Sequence, residues 1–274
     1  MTTRGIAVLA GGLKETQEIT RLAEAAGFDA AWSGEFLHRS GIVSAAAMAA
    51  VTARIGVGTS IAYAVGRSPL VLANDARFLD EMSDGRFTLG LGTGTRRMMT
   101  DWHGVPDPDG PASRIEELVP LLRRLWRLHE GPVRHQGRFY SVDITPTAEI
   151  GPPLRADIPV YTAGVNPRMI EAAGRVADGL ICHPTITGRY LEDVARPAIA
   201  RGPQRPGGPP ATCASWASSS ARSPTTPPPP GARPPRRSPS TPHPRPTDRS
   251  WKQRGSAGRR PPSGMPSGPA ITAP

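Results

Sequence analysis

Apolar and polar positions along residues 5–202 alternate between two periods. Short unbroken apolar runs predict buried strands. Each is followed by a stretch with apolar residues three and four apart, the spacing of an amphipathic helix. GIAVLAG (Gly5–Gly11) is the first strand, and the helix over 14–27 behind it stops at Gly27. Phe28–Ser33 leads into a helix over 41–52, and Ala53–Ala64 into a helix over 68–85. That third helix has Pro69 in its first turn and Gly85 just past its end, the asymmetry that helices favour. A fourth strand, 86–92, precedes an irregular stretch, 93–113, and then a helix over 114–131. The irregular stretch is too long for an ordinary connection and is a candidate active-site loop. Residues 132–142 predict a hairpin turning at Gly137, inside an insertion over about 131–157. Strand Ile158–Gly164, helix 166–177, strand 178–184 and helix 188–202 continue the series.

This alternation predicts an α/β protein with a parallel sheet covered by helices, either an open doubly wound sheet or a (β/α)8 barrel. In both, function gathers at the carboxyl ends of the strands. The residues there are Ser33-Gly34-Glu35, Gly58-Thr59-Ser60-Ile61, Gly92-Thr93-Gly94 and Ala163-Gly164-Val165-Asn166.

The run GRFTLGLGTG, 85–94, raises the question of a phosphate loop. It lacks the lysine of a P-loop and the spacing of G-x-G-x-x-G, so its glycines serve either close packing or close approach to a ligand. Gly164-Val165-Asn166, ahead of a helix with Pro167 in its first turn, offers backbone N–H groups to an anion, although Asn166 also suits an N-cap. His and Cys residues are scattered singly, so no metal site is expected, and no nucleophile–base pair stands out. Redox chemistry borne by a cofactor is the reading left. Cys182 and Cys213 are too few for a disulfide framework, and no stretch approaches a secretion signal or membrane span. A cytoplasmic protein with a small-molecule substrate is expected, with neither a membrane nor a specific nucleic acid as partner.

RSPLVLANDARFLDEMSDGRFTLGLGTG, 67–94, resembles the luciferase-like oxidoreductase superfamily of flavin- or coenzyme F420-dependent enzymes. AGFDAAWSGE before it and PVYTAGVNPRMIEAAGRVADGLICHP after it fit the same order, so the likeness covers 5–201. It implies a luciferase-like TIM barrel, here incomplete at about six β/α units, that uses F420 or, alternatively, FMN. F420-dependent hydride transfer is the leading expectation, with an FMN-dependent monooxygenase using O2 as the alternative. It implies further that Thr59, Ser60 and Ile61 form a bulge with a cis peptide behind the cofactor ring, with main chain at Gly92, Thr93 and Gly94 close by. Glu35 and His38 are the candidate catalytic side chains, and Trp102 and His103 the candidate substrate contacts. The family's sugar dehydrogenases carry Asp-His at the second strand exit and Glu after the fourth-strand glycines, where Gly34-Glu35 and Thr95 stand here. Glu35 is also readable as a surface or ion-paired carboxylate. A second copy of the chain is a candidate partner, as in many family members.

The formal net charge is +10, but residues 202–274 hold eleven Lys/Arg against one acid, leaving the body neutral. They also hold 20 of the 33 prolines and a single Leu/Ile/Val/Phe, so a disordered tail is expected. One reading is a basic interaction arm without catalysis. The preferred one is out-of-frame sequence beginning near Arg201. Joining each codon's last base to the next two makes Ser250–Ser256 compatible with L-E-A-A-G-F, a helical pattern of the family's missing C-terminal part.

Overall fold

A computed structural model describes residues 4–9 and 11–202, together with the backbone of Thr212–Ala214. Strands β1 (Gly5–Val8), β2 (Ala30–Ser33), β3 (Gly56–Thr59), β4 (Ala62–Tyr63) and β5 (Phe87–Gly92) alternate with helices α1 (Leu13–Ala25), α2 (Gly41–Ala49) and α3 (Pro69–Met82). Helix α4 (Pro111–Trp126) precedes the antiparallel hairpin β6 (Val133–Gln136) and β7 (Ser141–Ile144). Then come β8 (Val160–Ala163), α5 (Pro167–Val176) and β9 (Gly179–Ile181). A π-helical turn, Leu191–Ala195, joins α6 (Gly188–Tyr190) to α7 (Arg196–Arg201), and the last strand is β10 (Thr212–Ala214).

The main sheet is parallel in the order β1-β2-β3-β5-β8-β9-β10, with β4 pairing only with β5. It curls into a half-barrel, the luciferase-like TIM-barrel arrangement, with six strand–helix units and a seventh strand among the described residues. Main-chain order follows from local chemistry. Ser40 and Ser68 cap α2 and α3 by accepting Val43 N–H at 3.2 Å and Val71 N–H at 3.3 Å. Glu24, from the end of α1, accepts the N–H groups of Ala53, Arg54 and Ile55 at 2.7–3.0 Å and so holds the entry to β3. The core lies between the outer face of the sheet and the helices. Leu89 and Leu91 of β5 are fully buried there with Ile115, Leu118 and Leu122 of α4. Trp126 Nε1–H donates to Ala73 O at 3.0 Å, fastening α4 to α3.

Three differences from the sequence reading have physical causes. The third strand, unbroken over Ala53–Ala64 by periodicity, stops at Thr59 and resumes at Ala62, with the cis bond between Ser60 and Ile61 where the family resemblance implied it. Helix α4 begins at Pro111, three residues before the expected start, because proline's fixed φ and missing N–H suit a first turn. Thr212–Ala214 is extended, within the segment read as a disordered tail, and pairs with Gly179–Ile181. Strand pairing uses main-chain groups, and the open edge of β9 accepts an extended segment whatever its apolar content. The rest of the tail reading lies outside the described residues.

Candidate functional site

Ser60 and Ile61 are bracketed by the exit of β2. Ser60 N–H donates to Ser33 O at 2.6 Å, and Glu35 N–H to Ile61 O at 3.2 Å. The Glu35 carboxylate then accepts Tyr63 N–H at 2.9 Å and is itself gripped by Arg67. The chain between β3 and β4 is thus pulled from both sides into a fixed kink that faces the barrel interior.

The glycines of β5 make room for this kink. A Cβ on Gly90 would strike Thr59 O, and one on Gly92 would meet Ile61 Cδ1 at 3.0 Å. Thr59 is fully buried and locked to Gly90, its Oγ1 donating to the carbonyl at 2.7 Å and accepting the N–H at 3.0 Å. Gly90 and Gly92 of the 85–94 run thus accommodate the neighbouring strand and its exit. Thr93 is buried and bonds Gly94 O at 3.2 Å, while Gly94, at φ +71°, packs on Tyr63 and Met98.

In front of the kink lies a hollow of about 270 Å3. Its wall takes Leu9 from the β1 exit, Ser60 and Ile61, Gly164 and Val165 from the β8 exit, and His183 from the β9 exit. Gly164 is glycine because a Cβ would press on Met169 of α5 at 2.8 Å. Asn166 caps α5, its Oδ1 accepting Met169 N–H at 2.9 Å.

Of the residues singled out from sequence, Ser60, Ile61, Gly164 and Val165 meet in the hollow. Thr59, Gly92, Thr93, Gly94 and Asn166 are not among its lining residues; Thr59 adjoins the Ser60–Ile61 segment in the chain and Gly92 lies against Ile61. Glu35 takes the ion-paired alternative, accepting N–H groups of Tyr63 and Arg67 on both carboxylate oxygens. His38, Trp102 and His103 belong to a separate aromatic rim over the β2 and β5 exits. His38 is exposed beside Phe36, and Trp102 meets Phe36 edge-on with ring centres 5.5 Å apart. His103 lies edge-on to Tyr63 at 4.8 Å, its Nε2 buried without a hydrogen-bond partner among the described residues. Burial, and then the nearby Glu35 carboxylate, push the Tyr63 phenol above its ordinary pKa.

Sequence reasoning missed Leu9, Arg67 as the Glu35 partner, and the β9 exit with His183. The only available signal was their place just past a strand or in the 67–94 block. Among the described residues no cluster of three His, Cys, Asp or Glu is placed to hold a metal ion, and no helix is long and apolar enough to cross a membrane.

The curled parallel sheet with a hollow at its strand exits has the architecture of a luciferase-like barrel. The chain belongs to the luciferase-like monooxygenase family, whose model matches residues 1–224. An uncharacterized protein of Mycobacterium tuberculosis is 35% identical over 199 residues, 69% of this chain and 58% of that one. The F420-dependent glucose-6-phosphate dehydrogenase of Nocardia farcinica is 31% identical over 212 residues, 72% and 61% of the two chains. The structure of the coenzyme F420 dependent tetrahydromethanopterin reductase from Methanopyrus kandleri superposes with a TM-score of 0.66 at 25% identity, covering 78% and 65%. The chain thus spans less than two thirds of each of these relatives.

Proposed function

We propose that this chain is an oxidoreductase that uses coenzyme F420 for hydride transfer to or from a small organic substrate. The observation that carries the reading is the hollow at the strand exits, walled by a Ser60–Ile61 segment that Glu35 and Ser33 hold from both sides. Such a wall suits one face of a flat ring. The names of the Nocardia and Methanopyrus relatives support F420.

In this reading Ser60 and Ile61 back the ring, and Gly164 and Val165 bring main chain to its edge. Leu9 and Ile181 keep water from the reacting face, where a dry site strengthens each polar contact. Bound F420 would supply the hydride chemistry, and the protein supplies placement. Glu35 acts by holding the wall and takes no proton-transfer step. A second reading is a monooxygenase with FMN in the same hollow; the family's description as luciferase-like monooxygenases supports the monooxygenase part of it.

Titration of the purified protein with F420 and with FMN, followed by absorbance, tests the proposal. Saturable uptake of F420 in preference to FMN is expected. The reverse preference selects the second reading, and uptake of neither overturns both.

A further inference from the structure

The hollow is apolar over Leu9, Ile61, Ala163, Val165, Ile181 and Pro184, and its polar side chains are Ser60, Cys182 and His183. His183 carries the imidazole among them, and its orientation is built in. Thr185 N–H donates to His183 Nδ1 at 3.3 Å, and Thr185 Oγ1 lies 2.8 Å from the same nitrogen. A backbone amide can only donate, so Nδ1 is the lone-pair nitrogen and the neutral ring carries its proton on Nε2. The turn that presents the ring is closed by Ile186 N–H on His183 O at 2.9 Å. Thr187 caps α6 beyond it, and Tyr190 OH donates to Val165 O at 2.7 Å, tying the segment back to the β8 exit.

We propose that His183 is a specificity-determining residue, whose Nε2–H recognises an oxygen acceptor on an otherwise apolar, uncharged substrate such as a ketone or its alcohol. The inference rests on the redox reading of the hollow and names its substrate class. An apolar wall gives little orientation to an apolar molecule, whereas one fixed donor selects the ligand that can satisfy it and sets which carbon lies near the ring.

The test uses the full chain labelled with 15N-histidine, with cyclohexanone as the probe and cyclohexane as its acceptor-free counterpart. Long-range 1H–15N spectra should show His183 protonated on Nε2, and cyclohexanone alone should shift that signal. His183→Phe, which keeps a flat ring without the donor, should weaken cyclohexanone binding about three- to ten-fold. His183→Gln, which can present an amide N–H, should restore part of it. Circular dichroism spectra and urea midpoints matching wild type verify that both variants fold. A proton on Nδ1, no cyclohexanone-dependent change at Nε2–H, or equal probe binding by wild type and His183→Phe overturns the proposal. Failure of F420 and FMN to bind, with the His183 results intact, overturns the redox reading instead.

Discussion

Glu35 and Arg67 form a two-point ion pair across 32 residues of chain, Nη2 to Oε1 at 2.6 Å and Nη1 to Oε2 at 3.0 Å. The hydrogen bond to Glu35, opposed by burial, holds the Arg67 guanidinium above its usual range. Burial pushes the neighbouring Asp75 carboxyl up, with Arg67 pulling against it and Glu35 adding to it. Arg67→Met would leave Glu35 as an uncompensated, mostly buried charge. Loss of one partner of a buried pair costs roughly 3–5 kcal/mol, and the 20% exposure of the Arg67 side chain points to the lower end. Urea unfolding measures it, and a variant as stable as wild type would show that the pair does not hold the third-strand exit.

Gly90 has no space for a methyl group, because Thr59 O, a backbone atom, stands in the way. Gly90→Ala should therefore destabilise by roughly 1–3 kcal/mol or more, as overpacking does when the neighbour cannot retreat. Gly151→Ala is the control, with nothing within 4 Å of the added carbon. Equal urea midpoints for the two variants would contradict the packing role given to the β5 glycines.

Glu117 links α4 to the hairpin by accepting Phe139 N–H, Tyr140 N–H at 2.9 Å and the His135 ring at 3.0 Å. Burial works to raise its pKa, but these hydrogen bonds outweigh it and hold the carboxyl below its ordinary 4.5. A group depressed in the folded state stabilises above its unfolded pKa and loses that contribution as pH falls through the folded value. Glu117→Gln should thus be less stable than wild type near neutral pH, with the gap closing below about pH 4.5. Thermal melts across that range decide it; a gap that widens in acid would reverse the sign.

Asn166 separates capping from ligand contact. Replacing an N-cap by alanine costs about 1 kcal/mol, and aspartate can cap in its place. Asn166→Ala should lose about that much stability and Asn166→Asp should keep it. A loss of F420 affinity in Asn166→Asp at full stability would instead show a direct contact.

Six strand–helix units and the 132–142 hairpin were legible from residues alone, because periodicity, turn glycines and caps act within a few positions of chain; the break at Ser60–Ile61 came only from the family resemblance. The site was legible only in part. Glu35 could be read as a catalyst or an ion-pair member, since its partner lies 32 residues away and nothing local marks the pairing. Gly90 and Gly92 could be read as ligand-approach glycines, since the atoms that exclude a side chain there belong to β3 and its exit.

Sequence by itself determined which segments are strands and helices and which face of each is apolar, through short-range sterics and the burial of apolar stripes. Tertiary structure decided which strand exits share a hollow, that Glu35 is spent on Arg67 and Tyr63, and that His183 faces the space left. Those outcomes depend on curling the sheet, which sets residues distant along the chain within hydrogen-bond reach.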